Sequence, residues 1–289
     1  MRREGLSPGR IARAAVLGTF LLLAALYFLV PVYVMATTAV KPMEEIRLGN
    51  MLLPPASPTL GPLARAWSEV CVGATCGGLR AYFWNSVRIT IPAVTISVFL
   101  GALTGYALTK WRLPGAHAFF GMLVLGNFLP AQMVLLPMAI TLAALGLFGR
   151  YEGLVLVHCI YGLPVITLLF RNYFLGVPDE IIKAARIDGA GFFATFFRVV
   201  LPMALPMVAV AVILQFTYIW NDFLFALIFG GREAPMMVAL NNLINTQFGE
   251  KEYNVHMAGT LIAALPTLLV YVFAGRWFVR GLAAGAVKG

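Results

Sequence analysis

RNYFLGVPDEIIKAARIDGAGFFATFFRVVLPMALP, residues 171–206, is a charged stretch within a chain that is otherwise largely apolar. It carries seven charged side chains: Arg171, Asp179, Glu180, Lys183, Arg186, Asp188 and Arg198. One charge at the centre of a membrane-spanning helix costs about 2.5–3.5 kcal/mol, so seven would cost about 20 kcal/mol. The stretch is therefore expected to stay in water at the membrane surface, between two spans.

The same stretch predicts two short helices joined by a turn. Pro178 suits the first turn of a helix, and Asp179 and Glu180 follow where the positive helix end favours acids. Gly189 is expected just past the end of this helix, in the left-handed conformation that a glycine adopts without strain. A second helix is predicted to present one apolar stripe, formed by Phe192, Phe193, Phe196, Phe197 and Val200.

Composition places the chain among integral membrane proteins. Of its 289 residues 61% are hydrophobic and 11% are charged, and the mean hydropathy is +0.87, whereas a soluble domain carries about 25% charged residues. Its three cysteines and three histidines show no metal or redox spacing, so we predict no metal site and no catalytic residue on this chain. The sequence has no phosphate loop of the G-x-x-x-x-G-K type. Any ATP that the protein needs is therefore expected on another chain.

Apolar runs predict an all-α membrane protein with six transmembrane helices in a single domain, residues 1–289. The first charge-free run has 27 residues, Ala14 to Val40, which is too long for a signal peptide and long enough to cross a bilayer. Between the spans lie an outer segment, residues 39–85, and the polar loop between spans 4 and 5, residues 173–198. The expected spans cover residues 14–38, 86–109, 116–141, 153–172, 199–229 and 255–276.

The distribution of basic residues orients these spans. With six spans both termini lie on one side of the membrane, and 13 of the 21 lysines and arginines then fall on that side. Because loops rich in lysine and arginine remain in the cytoplasm, both termini and the loop 173–198 are predicted to be cytoplasmic. The net charge of +9 therefore requires no nucleic-acid partner.

A few polar residues fall inside the predicted spans. Asn127 and Gln132 either hydrogen-bond between helices or line a pathway for a solute. Asp222 is the only acid within a span, next to Trp220 and Asn221, and it either serves a pathway or pairs structurally with Arg88 or another base. The fourth span is expected to be interrupted by Pro164, with His158 and Cys159 packed as neutral groups.

Two cysteines lie close together in the outer segment. Cys71 and Cys76 are five residues apart across Gly73 and face an oxidising compartment in the predicted topology. They form either a disulfide or two free thiols, because spacing alone does not fix geometry.

A motif in the loop resembles a known family. Ala184-Ala185-x-x-Asp188-Gly189-Ala190, followed by Phe196 and Leu201-Pro202-x-x-x-Pro206, is similar to the EAA loop of ABC importer permeases. The resemblance implies that the loop is a coupling element that docks on a cytoplasmic ATPase. The glutamate that names the motif is replaced by Lys183, so the usual pair with a basic residue of the ATPase is not available. The residues implied in ATPase coupling are Lys183, Ala184, Ala185, Asp188, Gly189, Ala190 and Phe196.

Further motifs resemble the sugar-importer branch of that family. They are the ending Gly281-Leu282-x-x-Gly285-Ala286-Val287-Lys288-Gly289, the Trp220-Asn221-Asp222 cluster and the Asn127–Gln132 stretch. Asn241-Asn242-Leu243 with Tyr253-Asn254 resembles the glucose/mannose group. The resemblance implies a translocation pathway served by Asn127, Gln132, Trp220, Asn221 and Asp222.

The same resemblance implies an ATP-driven importer of the cytoplasmic (inner) membrane that works by alternating access. Its implied partners are a second related permease, an ATPase dimer that holds ATP and Mg²⁺, an extracytoplasmic solute-binding protein and membrane lipid. Two alternatives stay open at this point: an ABC permease for another small solute, and a secondary transporter. A single intramembrane acid and the absence of an internal repeat in the sequence argue against the secondary transporter.

Overall fold

The computed structural model describes residues 8–49, 51–111, 113–245 and 250–286. These ranges fold into α-helices and one short hairpin, with a π-helical turn at Phe196–Val200 and a 3₁₀ turn at Gly231–Glu233. The elements are α1 (Pro8–Thr38), α2 (Met43–Leu48), α3 (Gly61–Ser68), β1 (Cys71–Val72), β2 (Thr75–Cys76), α4 (Arg80–Lys110), α5 (Ala116–Asn127), α6 (Ala131–Ala144), α7 (Tyr151–Leu175), α8 (Asp179–Ile187), α9 (Phe192–Thr195), α10 (Leu201–Met203), α11 (Leu205–Trp220), α12 (Leu224–Phe229), α13 (Met236–Asn245) and α14 (Tyr253–Ala286).

The all-α membrane fold is confirmed. Four helices, α1, α4, α7 and α14, are individually long and apolar enough to cross a membrane, and the number rises to six if each of two bent helix pairs counts as one span. The observed helices extend beyond the predicted spans, since α4 begins at Arg80 and α14 continues to Ala286. We call the end of the bundle that carries residues 176–204 the loop face, and the end that carries the β-hairpin the hairpin face.

The third predicted span, 116–141, is wrong as a continuous helix. It consists of α5 and α6, which meet at an angle of 104°. Pro130 has ψ of 131°, outside the helical region. A proline also disfavours the helical conformation at the preceding residue and has no N–H for the helix ladder. The chain therefore turns at residues 128–130.

The fifth predicted span, 199–229, is also divided. The helical segment Phe192–Met203 meets α11 at 80°, with the break at Ala204. Pro206 has no N–H to bond the carbonyl of Pro202, which favours a break at this position. A second interruption follows Trp220, and α12 begins only at Leu224.

The predicted interruption at Pro164 does not occur. α7 continues through this proline from Tyr151 to Leu175. Prolines are tolerated inside membrane helices because neighbouring helices and local adjustments satisfy the carbonyl that loses its partner. α7 packs against α4 along much of its length, and this packing supports the continuous helix.

The contact between α4 and α7 forms the centre of the bundle. The two helices approach closely at Gly101 and Gly105, where an added Cβ would lie 2.5 Å from Ile166 Cγ2 and 2.9 Å from the backbone nitrogen of Arg171, respectively. Gly101 and Gly105 form a G-x-x-x-G pattern, which lets membrane helices pack backbone to backbone. The pattern is visible in the sequence, but the sequence analysis did not use it.

The hairpin face is a small folded layer rather than an irregular loop. β1 and β2 pair antiparallel with Cys71 opposite Cys76, and a disulfide joins these two cysteines. Arg65 of α3 forms a bidentate ion pair with Glu252. Asn254 Nδ2 donates to the carbonyl of Lys41 at 3.0 Å. These contacts join the outer segment 39–85 to the beginning of α14.

Candidate functional site

The turn at the end of α8 is the most regular feature of the loop face. Gly189 has φ of +83°, and its N–H donates to the carbonyl of Arg186 at 3.0 Å. The N–H of Ala190 donates to the carbonyl of Ala185 at 2.9 Å. This pair of bonds around a left-handed residue is the Schellman motif, which satisfies the last carbonyls of a helix. The predicted glycine cap at residue 189 is confirmed.

Both ends of α8 are fastened to the end of α4. Lys110 Nζ donates to the carbonyl of Val177 at 2.6 Å and to Asp179 Oδ1 at 2.7 Å. Arg186 Nη2 donates to the carbonyl of Lys110 at 3.1 Å, and the guanidinium lies 4.3 Å from the centre of the Trp111 ring. The hydrogen bond from Lys110 lowers the pKa of the Asp179 carboxyl, and the positive charge of Lys110 adds to the effect. α8 is therefore held by its first and its last turn.

An aromatic cluster supports the segment that follows the turn. The ring of Phe192 lies 5.0 Å from the rings of Tyr106 and Trp111, measured between centroids, and Phe196 lies 5.5 Å from Tyr106. Tyr106 and Phe196 are completely buried. Because each large aromatic ring removes about 150–250 Å² from water, this cluster fixes the position of the second helix of the loop.

The predicted single apolar stripe is wrong. Phe192, Phe196 and Val200 face the bundle, whereas Phe193 and Phe197 are 60% and 48% exposed. Phe193 and Phe197, four residues apart, lie together on the side of the segment that faces away from the bundle. Phe196 was predicted among the coupling residues, and its burial means that it supports the loop from inside rather than offering a contact.

An exposed surface remains on the outside of the loop. Ile187 is 85% exposed, an unusual position for a large apolar side chain beside a charged turn. Of the other predicted coupling residues, Ala185 and Ala190 are half-buried. The exposed ones are Lys183, Ala184, Asp188 and Gly189.

The end of α7 is also joined to the end of α10. Tyr173 Oη donates to the carbonyl of Met203 at 2.5 Å, beside the 80° break at Ala204. This hydroxyl fills a carbonyl that the broken helix leaves without a helical partner. Lys110 and Trp111 join α8 to α4, and the aromatic cluster joins α4 to the helical segment that leads into the bent fifth span.

The predicted pathway residues of the third span lie at its bend. Asn127 ends α5 and lines a cleft of about 270 Å³ together with Tyr161 and Pro164 of α7. Gln132 lies in the first turn of α6 and is exposed. Both polar groups therefore lie beside the 104° bend between α5 and α6.

The Trp220-Asn221-Asp222 cluster does not act as a unit. Trp220 is 2% exposed, and its indole N–H donates to the carbonyl of Ala263 at 2.8 Å, which joins α11 to α14. In this structure Trp220 packs between α11 and α14, and its contact with a pathway stays a prediction. Asn221 is exposed and donates to the carbonyl of Thr217 in its own helix.

Asp222 has a structural role that the sequence analysis left open. Its carboxylate accepts hydrogen bonds from the N–H groups of Phe225 and Ala226, at 3.3 and 2.9 Å, and so caps the start of α12. The nearest base is a histidine: His158 Nε2 lies 3.7 Å from Asp222 Oδ2, and the two form an ion pair only when the imidazole is protonated. Among the residues that the structure describes, no ion pair joins Asp222 to Arg88.

This geometry predicts how substitutions of Asp222 differ. Asp222→Asn keeps an oxygen that can accept from Ala226, so the complex should assemble at near-normal yield. Asp222→Ala removes the cap, which costs about 0.5–2 kcal/mol, and should lower the yield of folded permease. Both variants are tested by the yield of detergent-solubilised complex. Asn221→Ala is the control at the adjacent exposed position. Normal yield of Asp222→Ala together with impaired uptake would favour the pathway role instead.

The residues that hold α8 were missed by sequence reasoning. Lys110 was interpreted only as a topological signal, and nothing in its neighbourhood indicates contact with Val177 and Asp179 more than 60 residues later. Only the basic and aromatic character of Lys110-Trp111, directly after an apolar run, could have suggested an anchor. Among the described residues, no group of three or more His, Cys, Asp or Glu side chains is close enough to hold a metal ion.

This chain is similar in sequence to known transport proteins. Residues 93–283 match the family model described as "Binding-protein-dependent transport system inner membrane component". A probable ABC transporter permease of Pyrococcus horikoshii is 45% identical over 57% of this chain and 60% of its own length. The xylose/arabinose import permease protein XacI of Haloferax volcanii is 32% identical over 96% of this chain and 94% of its own length.

A solved structure shares the fold over nearly the whole chain. One chain of a bacterial ABC transporter involved in the import of the acidic polysaccharide alginate superimposes with a TM-score of 0.80 at 21% identity, covering 95% of this chain and 99% of that one. The family match covers about two thirds of the sequence and includes the loop and the bent fifth span. This chain is a multi-pass membrane protein that belongs to the family of inner-membrane components of binding-protein-dependent transport systems, the permease subunits of ABC transporters.

Proposed function

We propose that this chain is a permease subunit of an ATP-driven sugar importer, and that its loop 173–198 docks on a separate ATPase. The observation that carries the proposal is the exposed Schellman turn at Gly189, held at both ends of α8 by Lys110 and Trp111. A turn fastened in this way moves as one body with α4, as transmission of a domain movement requires. The proposed coupling contacts are Lys183, Ala184, Ala185, Asp188, Gly189 and Ala190, with Ile187 added by its exposure.

The proposed assembly places different partners on the two faces. The excess of basic residues on the side of the termini puts the loop face in the cytoplasm. An ATPase dimer with ATP and Mg²⁺ would bind there, and an extracytoplasmic solute-binding protein would approach the hairpin face. A second, related permease would complete the pathway, as the resemblance to ABC importer permeases implies.

The proposed substrate is a sugar, with glucose or mannose as the finer expectation. The relative XacI is named for xylose and arabinose import, and the structural neighbour belongs to an alginate importer. The cleft lined by Asn127 and Tyr161 offers an amide and a hydroxyl at the bend of the third span, which suits hydroxyl groups of a sugar. Gln132, Asn221 and Asp222 are further candidates for contact with the pathway.

The test is binding-protein-stimulated ATP hydrolysis and uptake by the reconstituted complex. The cognate binding protein is loaded in turn with glucose, mannose, xylose, arabinose, maltose and a neutral amino acid. Stimulation by one or more of the sugars is expected, with the amino acid inactive. Stimulation by the amino acid alone would contradict the sugar assignment, and uptake that continues without an ATPase would contradict the coupling role of the loop.

Lys183 gives a charge test of the docking surface. Its side chain is exposed, and it stands where the family motif has an acid, so the facing groove is expected to lack a base or to offer an acid. Lys183→Glu should weaken stimulated hydrolysis by about two- to fivefold, as expected from the loss of an exposed ion pair. Lys183→Gln is the matched neutral control, and its stimulated hydrolysis should lie between those of the unchanged protein and Lys183→Glu. An increase in coupling for Lys183→Glu would refute this account.

A further inference from the structure

A half-enclosed cavity lies at the hairpin face, away from the loop and from the bend of the third span. Its volume is about 330 Å³, and it lies between the end of α1, the short helix α2 and the start of α14. Most of its wall is apolar. The lining residues used in the argument are Val34, Lys41, Ile46, Arg47, Met51 and Met257.

Lys41 is the unusual member of this wall. Its side chain is almost fully buried, with 3% of the residue exposed, and its ammonium donates to the carbonyl of Leu53 at 2.6 Å. An ammonium group has three donors, and a buried cation is normally compensated by an anion. Within the described part of the chain, no carboxylate lies within ion-pair distance of Lys41.

The nearby acids do not pair with Lys41. Glu45 lies four residues after Lys41; its Oε1 accepts from the N–H of Ala56 at 3.0 Å, and its Oε2 is buried without a hydrogen-bond partner. Arg47, the other cation of the wall, forms an ion pair with Glu250, and both side chains are at least half exposed. Within the described residues, Lys41 is therefore the buried cation of the cavity that has no carboxylate within ion-pair distance.

We propose that this cavity binds the anionic headgroup of a phospholipid, with the phosphate at Lys41 and the first part of an acyl chain against Val34, Met51 and Met257. The position agrees with this occupant, because the cavity lies where α1 leaves the membrane and α1 is exposed along its span. A sugar fits less well, since it needs several hydrogen-bonding partners and this wall is mainly apolar. The assignment to the outer leaflet, but not the headgroup chemistry, rests on the proposed orientation.

The test compares lipid binding by purified, delipidated complexes in detergent. Native mass spectrometry counts bound phosphatidylglycerol and phosphatidylcholine with identical acyl chains, for the unchanged complex and for Lys41→Gln. The unchanged complex should prefer phosphatidylglycerol, and Lys41→Gln should lower its apparent affinity by about fivefold, the effect of one basic residue at an anionic lipid. Lys41→Arg should retain the preference. Arg47→Gln should have a smaller effect than Lys41→Gln.

Matched controls separate the site from general charge and from misfolding. Arg232→Gln removes an exposed cation on the same side of the protein and should leave lipid binding unchanged. If Lys41→Gln lowers the thermal stability of the complex without altering its preference for phosphatidylglycerol, Lys41 is only a structural donor to Leu53 and the proposal fails. If inorganic phosphate stabilises the complex through Lys41 while the two lipids bind equally, the cavity is a site for free anions and the lipid assignment is overturned. These readouts do not depend on transport.

Discussion

Complexes that carry Gly189→Val are expected to lose most of their binding-protein-stimulated ATP hydrolysis, while the permease still inserts and pairs with its partner subunit. Gly189 has φ of +83°, a conformation that costs a residue with a Cβ about 1–2 kcal/mol and a β-branched residue more. An added Cβ would meet nothing within 4 Å in this chain, so within the permease the expected effect arises from backbone strain. Relief of that strain would break the bonds of Gly189 and Ala190 to α8 and turn the following helix away.

Gly191 provides a control two residues away in the same loop. It is exposed, has φ of −75° and ψ of −177°, and would also accept a Cβ without contact. Gly191→Val should therefore retain coupling, because extended backbone suits a β-branched residue. The measurements are pull-down of ATPase subunits and stimulated hydrolysis in proteoliposomes. Normal transport by Gly189→Val, or an equal loss in Gly191→Val, would refute the assignment of the turn as the coupling contact.

The sequence was sufficient for α8 and the turn at Gly189 because the signals for this helix are local. Pro178, the two acids that follow and Gly189 lie within 12 residues, and they specify a helix with a beginning and an end. The same reason explains the success with α1, α4, α7 and α14, whose length and hydropathy can be read from one window. The bends within the spans and the contacts between helices are visible only in the three-dimensional structure.

The bends in the third and fifth spans show the limit of that reading. Pro130, Pro164 and Pro206 all occur in apolar sequence, yet only Pro164 lies within a continuous helix. A hydropathy average depends only on composition and not on the path of the chain. A span made of two helices at 104° therefore has the same hydropathy profile as a straight helix. Whether a proline breaks a helix depends on neighbours that satisfy the free carbonyl, and those neighbours are distant in sequence.

The site was predicted less completely than the fold for a similar reason. The identity of Trp220 and Asp222 suggested a pathway, but contacts with Ala263 and with the start of α12 give both a structural role. The residues that hold α8, Lys110 and Trp111, come from a turn that precedes it by almost 70 residues. Local pattern therefore identified the surface that we propose as the partner contact, and tertiary packing determines how that surface is held.

Like Gly189→Val, Gly105→Leu is expected to have a large effect, which here includes assembly of the complex as well as coupling. At Gly105 an added Cβ would lie 2.9 Å from both the backbone nitrogen of Arg171 and Phe170 Cβ. Backbone atoms cannot move aside as a flexible side chain can, so α4 and α7 would have to separate. Such overpacking costs about 1–3 kcal/mol in well-packed cores. Tyr106 and Lys110, which support the loop, lie one and five residues further along α4 and would be displaced with the helix.

Gly121→Leu is the matched control for this prediction. Gly121 is also a helical glycine of a membrane-spanning segment, in α5, but an added Cβ there meets nothing within 4 Å. Size-exclusion chromatography of the solubilised complex and its thermal stability should show a marked loss for Gly105→Leu and little change for Gly121→Leu. Gly105→Ala should be intermediate, because one methyl group already reaches the Arg171 nitrogen. In the complex that does assemble with Gly105→Leu, stimulated hydrolysis should fall as well, since Lys110 no longer holds Asp179. If both leucine variants assemble and hydrolyse ATP equally, the close approach of α4 to α7 does not position the coupling loop.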